Sequence, residues 1–381
     1  MNFPPLQHLG DAKPTVLVVD DEAGPRDALK IILRPFFTVL TAENAQAALT
    51  RLSEEPIDLV TLDQKLPDRQ GLDLLQDIKA LYPAIEVVMI TGHGSVHSAL
   101  ECLRHGAAGY LLKPFNVTEL IALVGQTLGK KQRLDLIRTI LQDPSSPLWG
   151  SEEQCTRAWG FLKTAYFAMV NQHQEAESDS LSTQHLLLLL SDMLEAKDRH
   201  LLSHSSRVSF YATLLANRLH LTQSELQSLS LGAFLHDFGT LRMASYRLAD
   251  EWADPEREQS LVNEHADAGA RMILPLGLPA EVGQIVAYHH EYWDGSRSPN
   301  GLRSEGIPLL ARIVGLAEAF DRLTADVPGH QALPLEEALD TLMAQAGTRF
   351  DPLLASLFQH VATECRAALP ATTATTASLL P

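Results

Sequence analysis

The chain has 381 residues, 45% of them hydrophobic and 20% charged, with a formal net charge of −17, which suits a globular protein of more than one core. That acidity, with no Lys/Arg run longer than Lys130-Lys131, argues against a generic nucleic-acid surface. Cys102, Cys155 and Cys365 form no CxxC, Met1 to Lys13 shows no signal pattern, and the leucine run Leu186 to Leu190 is too short for a bilayer, so a disulfide framework and a membrane span are not expected and the expected compartment is the cytoplasm.

After an N-terminal extension (1–14), apolar runs alternate with helical spacing from residue 15 to 129. Val16–Val19, Phe37–Leu40, Ile57–Leu62, Ile85–Ile90 and Gly109–Leu112 predict five buried parallel strands. Ala28–Leu33, Ala45–Ser53, Leu72–Leu81, Ser95–Arg104 and Thr118–Leu128 predict the helices between and after them. The alternation predicts an α/β doubly wound, five-stranded parallel sheet with ligands at the C-terminal strand ends. Asp20 and Asp21 close the first strand, Asp63 the third and Thr91 the fourth, while Lys113 follows the fifth. Three carboxylates at one edge repel one another unless they hold a hard divalent cation such as Mg²⁺. A lysine and a hydroxyl beside them suit a phosphoryl group.

With these residues placed, the segment resembles the receiver domain of two-component response regulators. Thr61-Leu-Asp63-Gln-Lys65-Leu-Pro67 with Gly71, Ile90-Thr91-Gly92 and Leu112-Lys113-Pro114-Phe115 carry the resemblance. It implies that Asp63 accepts phosphate from a sensor histidine kinase, that Asp20, Asp21, Asp63 and the Lys65 carbonyl surround Mg²⁺, that Thr91 and Lys113 bind the phosphoryl oxygens, and that Tyr110 is the aromatic switch residue. New charge at Asp63 would then reorder nearby loops.

Residues 130–197 predict a helical linker. Leu134, Ile137, Ile140 and Leu141 continue an apolar stripe, Asp143-Pro-Ser-Ser-Pro147 breaks it, and Ser151-Glu-Glu-Gln154 has the form of a capping box opening a helix to about His173. A polar gap, Gln174 to Ser180, precedes a leucine-rich helix, Leu181 to Ala196, which serves either as a packed spacer or as the seam of a homodimer. Gly125-Gln-Thr-Leu-Gly129-Lys130-Lys131 has the wrong spacing for a phosphate loop and no Ser/Thr after its lysine.

From 198 to 368 apolar positions fall only at helical spacing, in Val208–Leu219, Leu226–Leu235, Ala280–Tyr288 and Leu309–Leu323, which predicts an all-α domain. It is rich in groups that ligate metals: His204, His236, Asp237, His265, His289, His290 and Glu318. Their order, with His236-Asp237 together, His289-His290-Glu291 before Trp293-Asp294-Gly295, and Gly347-Thr-Arg-Phe350-Asp351-Pro352 near the end, resembles the HD-GYP subgroup of HD-superfamily metal-dependent phosphohydrolases.

The resemblance implies hydrolysis of cyclic di-GMP by two iron or manganese ions, or another transition metal. His204, His236, Asp237 and Glu318 would hold one metal; Asp237 would bridge to a second held by His265, His289 and His290; His236 and Asp237 form the catalytic pair. The chain departs from the family pattern at Thr240, where lysine is expected, at Arg297-Ser298-Pro299 in place of Gly-Tyr-Pro, around Asp250-Glu251-Trp252, at Val327 in place of arginine, and at Glu318 in place of aspartate. His200 stands where some members place a glutamate for a third metal. Lost cations weaken phosphate binding, and Arg242, Arg247, Arg297 and Arg303 are the candidates to replace them.

The tail, 369–381, predicts disorder. Two functions follow from this sequence: a phosphorylation-controlled phosphodiesterase, or a metal-binding module, weak or inactive in catalysis, that binds nucleotide or protein under the same control. Diguanylate cyclases and other signalling proteins are the partner classes the resemblance admits. No recognition-helix module follows the receiver, which argues against a DNA-binding regulator.

Overall fold

The computed structural model describes residues 13–92, 95–170, 183–243, 255–326 and 331–368. Val327, Arg247, Asp250 to Trp252, the polar gap Gln174 to Ser180 and the tail lie outside the described residues. Two compact units divide the chain between Asp135 and Leu136.

The first unit is a five-stranded parallel sheet in the order β2-β1-β3-β4-β5, formed by β1 (Thr15–Val19), β2 (Thr38–Ala42), β3 (Leu59–Leu62), β4 (Glu86–Thr91) and β5 (Gly109–Leu112). Side chains alternate across each strand, so the sheet buries two layers. On one face Val16, Val18, Val88 and Ile90 pack with Leu29 and Leu33 of α1 (Ala23–Leu33) and with Leu120, Val124 and Leu128 of α5 (Val117–Gln142). On the other, Leu17, Val19, Val60 and Met89 pack with Ala48 and Leu52 of α2 (Ala45–Glu54), with Leu74 and Ile78 of α3 (Gly71–Leu81) and with Cys102 of α4 (Val96–Arg104). The strand order reverses between β1 and β3, which opens a crevice beyond their C-terminal ends. Helix α5 runs without interruption through residue 130, where a linker was expected to begin.

The second unit is helical: α6 (Glu152–Val170), α7 (Thr183–Lys197), α8 (Arg199–Ala216), α9 (Gln223–Leu235), α10 (Pro255–Ile273), α11 (Ala280–Tyr288), α12 (Leu309–Thr324), α13 (Leu335–Ala344) and α14 (Pro352–Ala368). Its core joins Val208, Leu215, Leu229, Ile285, Val314, Phe320, Leu342 and Phe358, one apolar face from each of six helices. Start signals in the sequence are used: Ser151 N donates to Gln154 Oε1 (2.8 Å), and Thr222 and Glu225 form a capping box at α9. Helix α6, from the stretch read as linker, packs into this unit. Trp159 is fully buried, donates Nε1–H to Met272 O (2.8 Å) and stacks on Phe238, with ring centres 6.2 Å apart. Tyr166 donates to Asp192 of α7 (2.6 Å).

Candidate metal centre

At the crevice of the first unit, Asp20, Asp21 and Asp63 each bring an oxygen within 4.8 Å of the others. Lys113 Nζ donates to Asp20 Oδ2 (2.6 Å) and Asp63 Oδ2 (2.5 Å). Burial works against the ammonium, but its hydrogen bonds to Asp20 and Asp63 outweigh that and raise its pKa. Lys113 is set there by β5, whose Leu112 pairs with Thr91 of β4, and Lys113 N donates to Thr91 O (2.8 Å). Thr91 therefore ends beside the same edge. A Cβ on Gly71 would lie 2.1 Å from Asp63 O, so the loop after Asp63 closes only over glycine. Lys65 N donates to Asp63 Oδ1 (3.3 Å). Tyr110 lies on β5, half-buried, with its hydroxyl 3.4 Å from Ser98 Oγ of α4. The crevice thus brings Asp20, Asp21, Asp63 and Lys113 together, while Tyr110 packs against the face of the sheet that α2, α3 and α4 cover.

In the second unit the candidate metal ligands come from five places. His204 is on α8, His236 caps the C-terminus of α9, Asp237 begins the 3-10 turn Phe238–Arg242, His265 is on α10, and His289-His290 end α11. All six are buried. Backbones approach closely to achieve this: a Cβ on Gly239 would lie 1.9 Å from His265 O, and one on Gly315 of α12 would lie 2.3 Å from His289 O. Only glycine permits these crossings.

The two oxygens of Asp237 face different partners. Oδ1 lies 3.2 Å from His265 Nε2, while Oδ2 lies 3.4 Å from His236 Nε2 and 3.6 Å from His204 Nε2. On the Oδ1 side, His265 Nε2 is 3.4 Å from His289 Nε2 and 3.0 Å from His290 Nε2. Two sets of candidate ligands result, Asp237-His265-His289-His290 and His204-His236-Asp237, joined at the carboxylate. Outer ring nitrogens are fixed by acceptors: His236 Nδ1 donates to Ala233 O (2.7 Å), His289 Nδ1 to Val286 O (3.0 Å), and His204 Nδ1 to Asp321 Oδ2 (2.7 Å). Each Nε2 is thereby turned inward.

The electrostatics favour a cation. Burial, together with the charges of neighbouring imidazoles, holds His289 and His290 well below the usual histidine range, so both are neutral and keep a lone pair. Burial opposes charge on Asp237 as well, but His236 and His265 hold its carboxyl well below the usual range. His236 is pushed up to about 9: burial opposes this, and Asp237 and then Glu318 overcome it. Positive charge is wanted at that point. His236 Nε2 and Glu318 Oε2 are buried and make no hydrogen bond, and a metal ion would satisfy both orphaned groups. The residues present therefore fit a metal.

Glu318 stands slightly apart. Its Oε2 is 3.8 Å from His290 Nδ1 and its Oε1 is 3.7 Å from Arg322, and it does not join the His204-His236-Asp237 set within 4.8 Å. His200 is exposed and belongs to neither set. Thr240 is fully buried and donates Oγ1–H to Asp237 O (2.7 Å), so it faces backbone and not a ligand. Of the replacement cations, Arg297 and Arg303 are exposed on the loop after His290, and Arg242 lines a separate cavity with Trp149, Cys155 and Met272.

Sequence reasoning passed over three cations and a carboxylate here. Asp321 contacts His204, Arg207 pairs with Asp321, and Arg322 lies beside Glu318. Arg349 lines a cavity with His289 and His290, and its guanidinium lies over the rings of Tyr292 (5.4 Å) and Phe350 (5.1 Å). The spacing of Glu318 and Asp321, one turn apart on α12, was the available signal for Asp321. Arg349 lies in the Gly-Thr-Arg-Phe-Asp-Pro segment, which gives no spacing cue.

Comparison with known proteins agrees with this division. Residues 16–125 match the response regulator receiver domain, and residues 188–354 match the HD domain. The chain is 28% identical to the cyclic di-GMP phosphodiesterase response regulator RpfG of Xanthomonas campestris pv. campestris, over 88% of this chain and 85% of that protein. It is 25% identical to a cyclic di-GMP phosphodiesterase of Thermotoga maritima, over 90% of this chain and 89% of that one. Over 29% of this chain and 25% of the relative, it is 41% identical to the response regulator protein PilR of Pseudomonas aeruginosa. Among the described residues no helix is long and apolar enough to cross a membrane. The chain belongs to the response regulators that join an N-terminal receiver domain to a C-terminal HD domain, the fold of metal-dependent phosphohydrolases.

Proposed function

We propose that the chain is a phosphorylation-controlled phosphodiesterase that hydrolyses cyclic di-GMP at a two-metal HD-GYP-type centre. The single observation that carries this reading is the division of the Asp237 oxygens between two histidine sets. One set is Asp237, His265, His289 and His290; the other is His204, His236 and Asp237, with Glu318 near it. Iron or manganese suits such a mixed imidazole and carboxylate shell. Bound there, the ions would neutralise the phosphodiester and make water acidic enough to attack phosphorus at neutral pH.

The chain's own residues perform the rest. Asp237 stays ionised and serves both sets, while the acceptors behind His204, His236 and His289 hold their rings in one orientation. Arg349, close enough to His290 to lower its pKa, supplies positive charge for a phosphate at the rim. In the first unit, Asp63 accepts phosphate from a sensor histidine kinase, with Asp20 and Asp21 at Mg²⁺ and Thr91 and Lys113 at the phosphoryl oxygens.

The test is turnover of cyclic di-GMP by protein reconstituted with Mn²⁺ or Fe²⁺, with and without a phosphoryl mimic. Turnover that disappears in His236→Ala supports the reading. Two bound ions per chain without turnover would replace it with the second reading, a nucleotide- or protein-binding module, which the burial of Thr240 favours because it leaves no cation at that position. Asp63→Asn is expected to abolish phosphorylation from a small-molecule phosphodonor; labelling equal to wild type would remove Asp63 from its role.

A further inference from the structure

His204 lies in the interior of α8, as His265 lies in that of α10. His236 and His289 cap their helices and find a carbonyl three residues back, Ala233 O and Val286 O, for the outer ring nitrogen. Inside α8 the carbonyls are taken by the helix itself, so the partner of His204 must come from elsewhere. It comes from α12: Asp321 Oδ2 accepts from His204 Nδ1 at 2.7 Å. The same carboxylate is held by Arg207, one turn after His204 on α8, through Nε to Oδ1 (2.6 Å) and Nη2 to Oδ2 (2.8 Å). His204 and Asp321 are about 1% and 0% exposed, whereas the Arg207 side chain is 36% exposed.

Such a pair is a poor device for stability alone. A buried ion pair loses in desolvation most of what it gains in attraction, and apolar residues of similar volume often serve as well. What an apolar residue could not do is fix the imidazole. The Asp321 bond selects the tautomer with the proton on Nδ1, which leaves the Nε2 lone pair directed at Asp237 Oδ2, 3.6 Å away.

We propose that Asp321 is the positioning residue for the His204 half of the metal centre, and that Arg207 clamps Asp321 in place for it. The inference rests on the two-metal reading above and goes further by assigning unequal support to the two halves. The Asp237-His265-His289-His290 half does not depend on Asp321. The His204-His236 half does. Removing the carboxylate is expected to weaken metal binding in one half only.

The experiment titrates the full-length apo protein with Mn²⁺, counting bound metal and recording its electron paramagnetic resonance spectrum. Wild type is expected to bind two Mn²⁺ with an exchange-coupled spectrum. Asp321→Asn is expected to keep one site at wild-type affinity and lose about 10- to 100-fold at the other, giving an uncoupled six-line signal at one Mn²⁺ per chain, as His204→Ala should. A merely structural defect would lower both sites together. Should Asp321→Asn fail to fold, Arg207→Gln, which leaves the Asp321–His204 bond intact, is expected to show the same selective weakening to a smaller degree. Wild-type affinity at both sites with a coupled spectrum in either folded variant would overturn the proposal. A wild type that binds fewer than two ions would instead overturn the two-metal reading on which it stands.

Discussion

Thr240 shows how a departure in sequence changes meaning once its surroundings are known. In place of an expected lysine, it closes a local turn with Oγ1–H on Asp237 O (2.7 Å) and is wholly buried. Thr240→Val removes that donor at nearly constant volume, so a loss of about 1 kcal/mol is expected, read as a lower denaturation midpoint in urea with metal stoichiometry unchanged. On the function proposed above, phosphate contact would fall to Arg349, whose guanidinium lies over the rings of Tyr292 and Phe350 and has no carboxylate partner among the described residues, while Arg312 is neutralised by Asp351 (2.6 Å). Arg349→Ala is expected to raise KM for cyclic di-GMP by about 10- to 100-fold, the equivalent of one charge-assisted hydrogen bond of about 1.5–3 kcal/mol. An unchanged KM, measured by steady-state kinetics, would take Arg349 out of substrate binding. The candidate ligands were legible as residue types because few side chains other than histidine and carboxylates can ligate such a metal. Arg349 was not, because its relevance comes from which rings and which histidines the fold brings beside it.

At the scale of elements, the centre is assembled by close crossings. The 3-10 turn after Asp237 lies against α10 at Gly239, and α12 lies against the end of α11 at Gly315. Gly239→Ala would drive a methyl into His265 O, 1.9 Å from the ideal Cβ position. Backbone must then move, which separates Asp237 from His265. The expected outcome is loss of metal from both halves, detected by metal analysis, in contrast to the one-half loss from Asp321→Asn. The strands and most helices were legible from periodicity to within a few residues: Gly109–Leu112 and Ala280–Tyr288 coincide with β5 and α11. Helix α8 was not, for it begins at Arg199 and its first turns carry Ser203, His204, Ser205 and Ser206. Of these, His204 turns to the metal-ligand cluster and Asp321, while Ser203 and Ser206 are exposed and donate to α8's own carbonyls. The role of α6 was also hidden. Trp159 reads as an ordinary amphipathic position, and only the fold places its ring on Phe238, next to Asp237.

For the whole molecule, the distribution of buried charge sets how it should respond to metal removal. The second unit buries six candidate metal ligands and leaves His236 Nε2 and Glu318 Oε2 without hydrogen bonds. Without metal, these groups cost stability that apolar core contacts must offset. A ligand that binds only the folded form stabilises by about 2.7 kcal/mol at one hundred times its Kd. Chelation should therefore lower the melting temperature of the second unit by about 5–10 °C, given about 2–4 °C per kcal/mol for a unit of this size. The sheet of the first unit is built differently. Lys113 already holds two of its three clustered carboxylates, Asp20 and Asp63, so Mg²⁺ is not needed to neutralise them for folding. Calorimetry of the full chain before and after chelation should thus move the transition of the helical unit and leave that of the sheet unit nearly in place. Equal shifts in both transitions would mean that the buried histidines carry no more of the metal dependence than the receiver carboxylates, and would contradict a metal centre built into the helical core.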